Sequence, residues 1–201
     1  MKPPIPKSHL ITTVHLSDER RDNFSWLKNS NNPDVMEYLR LENAYAHHHM
    51  ASTKTLQEQL LEEMNKRVPP EQSTAPYFIE GWERYARIRQ EQDYWVYCRS
   101  KDQCEEILLD ENERAKDQDY YALDDLSLSP NQQWMAWSED LNGQERFKLQ
   151  LRNLNTGETS TVQHSNIKWS IAWLDNHRLV YVGGDEADRP CEVRIQIFQK
   201  I

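Results

Sequence analysis

At Pro69-Pro70 the spacing of apolar side chains changes period, and that change divides the chain. From residue 32 to about 67, apolar residues recur at Val35, Tyr38, Leu39, Ala46, Met50, Leu56, Leu60, Met64 and Val68. Intervals of three, four or six to seven place these on one stripe of an α-helix. Asn32 suits the cap, Pro33 the first helical position, and Asp34 puts a carboxylate at the positive end of the helix dipole. The proline pair supplies no amide donors and clashes with a continuing helix, so the helix stops there. About 35 residues at ~1.5 Å each make an arm roughly 50 Å long if unbroken. The stripe is weakest over residues 44–49, the place for a break. Such a stripe cannot cover itself and needs another element, a partner domain or a second copy. A coiled coil fits less well, because the heptad is not sustained.

After Pro76 the period is two. Residues 77–80 and 82–87 flank Gly81 as a hairpin or bulge, and 94–99 and 106–109 read as short aromatic and β-branched strands. Residues 110–119 are charged and loop-like. Strands follow at 134–138 and 146–152 around Asn142-Gly143, a pair suited to a tight turn with positive φ at both central positions. A turn at Asn155-Thr156-Gly157 leads into 158–162, and strands at 167–174 and 178–182 meet at Asp175-Asn176. Trp134, Trp137, Trp169, Trp173 and Tyr181 read as inward-facing strand positions rather than a ligand cage. Residues 129–137 can be laid on 173–181 at an offset of 44: a turn bearing Asn or Asp, then a strand ending in an aromatic. Propeller blades repeat every ~40–50 residues. A β-sandwich gives similar strand spacing, so both architectures stand on periodicity, the propeller favoured.

Several function classes fall away. The 33 acidic against 24 basic side chains leave a net charge of −9, the wrong sign for a phosphate lattice. No apolar run approaches the ~20 residues that cross a bilayer, and residues 1–7 lead into no apolar signal core. Cys98, Cys104 and Cys191 are an odd number at no metal spacing, which fits reduced thiols in a cytoplasmic protein and makes the glycosylation-like Asn23-Phe24-Ser25 a chance match. The run His47-His48-His49 points its rings about 100° apart on a helix and cannot converge on one ion. Gly81, Gly143, Gly157, Gly183 and Gly184 are the five glycines. None builds a G-x-S-x-G nucleophile turn or a phosphate-cradling loop. The pairs Glu62-Glu63, Glu105-Glu106, Asp124-Asp125 and Asp185-Glu186 read as solvated surface. No residue is assigned a catalytic, cofactor-binding or metal-ligating role.

Longer motifs point to one family. Asp22-Asn23-Phe24-Ser25-Trp26-Leu27 and Tyr38-Leu39-Arg40-Leu41-Glu42-Asn43-Ala44-Tyr45 resemble the N-terminal segment of the prolyl oligopeptidase family of serine peptidases. So do Tyr94-Trp95-Val96-Tyr97-Cys98-Arg99, Leu108-Leu109-Asp110-Glu111-Asn112-Glu113-Arg114-Ala115 and Arg152-Asn153-Leu154-Asn155-Thr156-Gly157. The stretch Tyr38-Leu39…Glu42-Asn43-Ala44-Tyr45 favours its oligopeptidase B branch, and the resemblance runs from about residue 9 to 194.

The resemblance implies an α+β chain, with a long helical arm over residues 1–70 and about the first two blades of a seven-bladed antiparallel β-propeller over 71–201. It implies that the arm packs on an α/β-hydrolase domain, which is absent from this chain and would carry a Ser-His-Asp triad. Family substrates are short peptides cut after Arg or Lys, so the lone chain is expected to be truncated and inactive. Residues 195–201 do not continue the family pattern convincingly. The partners to expect are a separately encoded hydrolase half or a second copy, with no nucleic acid, membrane or cofactor. The competing reading is a stand-alone binding or regulatory module.

Overall fold

The computed structural model describes residues 1–198, without the side chains of residues 163–165 and 169. Two compact units divide at Val68/Pro69.

In the first unit, β1 (Ile11–His15) and β2 (Asp18–Asp22) pair as an antiparallel hairpin. The sequence reading did not anticipate it, because every position is exposed and no apolar alternation announces it. Helix α1 (Pro33–Met50) begins as its cap predicts: the Asn32 side chain accepts a hydrogen bond from the Asp34 amide at 3.0 Å. A 3₁₀ turn at Ala51–Thr53 leads into α2 (Lys54–Arg67), which ends one residue before the prolines. The irregularity thus lies just beyond residues 44–49. Thr53 Oγ1 donates to the Met50 carbonyl at 2.8 Å, competing with the helical ladder at that turn.

The second unit opens with β3 (Gln72–Ser73), β4 (Tyr77–Ile79), β5 (Trp82–Ile88), β6 (Val96–Lys101) and β7 (Cys104–Asp110). They form one antiparallel sheet in the order β3-β5-β6-β7, with β4 also on β5. Glu80 and Gly81, both at positive φ (51° and 77°), make the β4–β5 turn.

A second sheet runs β8 (Ala122–Leu128), β9 (Trp134–Asp140), β10 (Phe147–Asn153), β11 (Thr159–Trp173), β12 (Arg178–Gly184) and β13 (Pro190–Ile197), each paired with the next. Strand β11 belongs to two pairings. Its first half lies on β10, from Arg152↔Thr159 to Phe147↔Ile167, and its second half lies on β12, from Ile167↔Gly183 to Trp173↔Leu179. Strands β8 to β11 are therefore one four-stranded blade, and the far half of β11 opens the next with β12 and β13. The two opening strands lie side by side, where the Ile171 amide donates to Asp125 Oδ2 at 3.1 Å. Radially repeated antiparallel blades of this kind are a β-propeller, and the offset of 44 is its blade repeat.

The sequence reading foresaw neither β8 nor β13, and the structure corrects it in three further places. Residues 111–115 form a helix, α3 (Glu111–Ala115), because Asp110 caps it by accepting from the Asn112 amide at 2.9 Å. Asn142-Gly143 lies in a six-residue loop rather than a two-residue turn, because buried Asp140 accepts from the Asn142 and Glu145 amides at 3.0 and 2.8 Å and holds it wide. Residues 158–162 and 167–174 belong to one strand.

Two apolar clusters fill the unit. One gathers Ala136, Leu149, Ile167 and Leu179; the other gathers Leu108, Leu109, Leu128, Met135 and Trp137. Trp137 and Tyr181 face inward as predicted. Trp134 and Trp173 are half-buried and pack on the Phe198 ring at centroid distances of 5.3 and 5.7 Å. The Trp169 side chain lies outside the described residues.

Candidate functional site

In the first unit the apolar stripe finds cover only at its start. Val35 is buried, and Tyr38 and Leu41 join Ile5, Pro6 and Trp26 around a hollow of about 100 Å³. The Trp26 indole donates to the Lys7 carbonyl at 3.0 Å, and Lys7 Nζ lies 3.3 Å from the Asp34 carboxylate. From there on, Leu39, Met50, Leu56, Leu60, Met64 and Val68 are all exposed, Leu60 at 49%. Six large apolar side chains are thus exposed across α1, α2 and the residue that follows α2. On the same helix the His47–His49 run stays at the surface, where His48 and His49 meet edge to face at 5.6 Å. Among the described residues no group of three or more His, Cys, Asp or Glu is placed to hold a metal ion.

In the second unit the chemistry-bearing side chains gather where the first sheet meets the second, and arginines do the joining. The Arg99 guanidinium stacks 3.9 Å over the Trp82 ring, bonds Glu106 at 2.7 Å and donates to the Gln132 carbonyl at 2.9 Å. Arg84 reaches the Gln132 side chain, and Arg152 donates to the Leu108 carbonyl at 3.3 Å. Arg114 of α3 grips both oxygens of Glu139, which has no exposed surface and also accepts from the Trp137 indole at 3.0 Å. A buried carboxylate with such partners holds structure together, and losing one partner would strand the other's charge.

Beside this pair sits Glu111, only 6% exposed. Burial drives its carboxyl up to about 7, and the neighbouring Tyr97 hydroxyl and Trp95 backbone offset part of that rise. Burial and the Glu111 charge likewise push the Tyr97 phenol up to about 12. Tyr121 is 4% exposed, meets Tyr94 edge to face at 5.7 Å, and has no hydrogen-bond partner for its hydroxyl among the described residues. An apolar hollow of about 250 Å³ opens nearby between Tyr77, Tyr85, Tyr97, Cys98, Leu108 and Leu126. Burial raises the Cys98 thiol above its usual range, which suppresses the thiolate a nucleophile requires. This joint binds two sheets; it aligns no nucleophile with a base.

The carboxylate pairs divide accordingly. Glu62 and Glu63 are solvated, pairing with Lys66 and Arg67 across one helical turn. Of the others, Glu105, Glu106, Asp124 and Glu186 are exposed as read, Asp125 and Asp185 are half-buried, and all but Glu186 also hold structural bonds. Glu105 bonds Tyr85 and Arg87, Glu106 bonds Arg99, and Asp124 accepts from Ser138 at 3.2 Å. Asp125 caps the Ile171 amide, and Asp185 holds Arg189. The carboxylates that matter most, Glu111, Glu139 and Asp140, were not singled out. The one local signal was Asp110-Glu111-Asn112, a helix start inside an assumed loop.

A radial array of antiparallel blades, preceded in sequence by a helical arm, defines a propeller-bearing protein, and the comparisons specify which. The profile of the prolyl oligopeptidase N-terminal β-propeller domain matches residues 3–197. The chain belongs to this S9 peptidase family, through its N-terminal portion. It is 31% identical over 200 residues to dipeptidyl aminopeptidase BI of Pseudoxanthomonas mexicana, covering 89% of this chain and 28% of that protein. It is 30% identical over 204 residues to protease 2 of Moraxella lacunata, covering 96% of this chain and 30% of that protein. The fold superposes on oligopeptidase B of Leishmania major with a TM-score of 0.84 at 22% identity, covering all of this chain and 31% of that one. The chain thus spans about 30% of the length of these relatives. No helix among the described residues is long and apolar enough to cross a membrane.

Proposed function

We propose that this chain is the arm and propeller portion of an oligopeptidase B-like serine peptidase that cuts short peptides after Arg or Lys. Residues 1–70 serve as the arm and 71–201 as the propeller part. On its own the chain is catalytically silent; the triad and oxyanion hole belong to an α/β-hydrolase part that the arm grips. The observation that carries this reading is the exposed stripe Leu39–Met50–Leu56–Leu60–Met64, a long apolar face on a family member that spans under a third of its relatives. Three free thiols, at Cys98, Cys104 and Cys191, support a reducing, cytoplasmic setting.

The test mixes the chain with the hydrolase part of a protease 2-type relative and measures cleavage of a short Arg-containing peptide. Cleavage by the mixture, absent from either half, supports the proposal; cleavage by the chain alone overturns it. A stable monomer that ignores the hydrolase part favours a separate binding module, and a dimer lost on changing the stripe favours self-association.

A further inference from the structure

The pair Asn142-Gly143 has no part in the function proposed above, and no other asparagine in the sequence precedes a glycine. It lies in the loop between β9 and β10, and both residues are exposed. Gly143 sits at a φ of 73° and has no β-carbon to screen its own nitrogen. Among the described residues, no acceptor takes a hydrogen bond from that amide. The side chain before it is held in place. Asn142 Oδ1 accepts from the Gln144 amide at 3.1 Å, a bond that spans Gly143 and lays the carboxamide along its peptide unit. Accepting that bond also draws electron density from Cγ. An electrophilic carbon thus faces an uncommitted nitrogen at a spacing that closes a ring.

The same loop is tied at both ends. Asp140, at the end of β9, accepts from the Asn142 amide at 3.0 Å and the Glu145 amide at 2.8 Å. The Glu145 carbonyl takes a bond from Lys168 Nζ of β11. Arg146 bonds both carboxylate oxygens of Asp188, in the β12–β13 turn, at 2.9 and 3.2 Å. The loop therefore joins the second blade to the third, and its shape depends on the spacing of the two amides that grip Asp140.

We propose that Asn142 is a modification site, converting itself to isoaspartate and so unhooking this loop from Asp140. The Gly143 nitrogen gives its proton to hydroxide and attacks Cγ of Asn142. The nitrogen–Cγ bond forms, the Cγ–Nδ2 bond breaks, and ammonia leaves a cyclic imide. Water then opens the imide. Breaking the new bond gives an ordinary aspartate; breaking the original main-chain bond gives isoaspartate, with the backbone rerouted through Cβ. Water is the sole co-reactant. The rerouting adds one carbon to the backbone between the amides of Asn142 and Glu145, and the freed carboxylate brings like charge beside Asp140. The site is independent of the hydrolase part.

The full chain is incubated for days at pH 7 and pH 9 as wild type, Asn142→Gln and Gly143→Ala, then digested and its peptides weighed and fragmented. The expected result is a gain of about 1 Da at Asn142, carried largely by isoaspartate and several-fold faster at pH 9. Asn155, exposed but followed by Thr156, should lag far behind. Asn142→Gln should abolish the gain, because its longer side chain closes a less favourable ring. Gly143→Ala should slow it several-fold; the added methyl would stand 3.6 Å from the Tyr120 ring, so only the positive φ opposes it. If that variant fails to fold, Asn142→Gln decides alone. Brief trypsin treatment of the aged, folded wild type should cut after Arg146 several-fold faster than in the fresh chain, with aged and fresh Asn142→Gln alike. A gain at Asn142 no faster than at Asn155, or aged wild type cut after Arg146 as slowly as fresh, overturns the proposal.

Discussion

The backbone amide of Asn131 donates to the side-chain oxygen of Asn176 across 2.9 Å, tying the β8–β9 turn to the β11–β12 turn. These are the turns that the 44-residue offset aligns, so two copies of one sequence pattern touch at the same end of neighbouring blades. Asn176→Ala leaves the Asn131 amide without its acceptor and is expected to cost about 1 kcal/mol in urea unfolding, with strand content unchanged.

Arg114→Met strands the fully buried Glu139 carboxylate. Removing one partner of a buried pair costs about 3 kcal/mol or more, whereas replacing both with apolar groups recovers much of the loss. A double-mutant cycle with Glu139→Leu, read by urea denaturation, should therefore show Arg114→Met as the worst of the three variants.

Leu60→Asp tests the arm. Leu60 is already half in solvent, so the isolated chain should unfold within about 0.5 kcal/mol of wild type. Complementation by a hydrolase part should fail, because the same change would bury an unpaired charge at the covered face. Normal complementation by the variant would mean that the stripe docks nothing.

Glu105 sets an acid limb. Arg87 first, then Tyr85, holds its carboxyl below the usual range. A depressed folded-state titration contributes stability that is present above the unfolded value and lost as pH falls through the folded one. The wild-type chain should thus weaken below about pH 4.5, and Glu105→Gln should weaken less over the same range. Melting curves from pH 3 to 6 check it.

Much of this was legible in the residues. The Asn32 cap, the stop at the prolines, the strand at 146–152 and the blade repeat all arise from local steric rules or from a period that the backbone imposes. What stayed hidden depends on company rather than pattern. Glu139 and Asp140 end a strand whose polar tail looks solvated, and only the arrival of Arg114, 25 residues earlier in the chain, shows that the carboxylate is enclosed. Asp140 likewise overrode Asn142-Gly143 by collecting amides from a wider loop. The β1–β2 hairpin has no buried face, and hence no alternation to read.

Because β11 serves two blades without a linker, the second and third are fused through a single piece of backbone. Any rotation between them must tear ladder hydrogen bonds from one side or the other. The first and second blades share no strand and meet through side chains: the arginine bonds to Gln132 and Leu108, the Arg114–Glu139 pair, and the cluster of Leu108, Leu109, Leu128, Met135 and Trp137. Bending of this propeller would therefore concentrate at one seam, leaving the fused pair to move as a plate against the blade that precedes it.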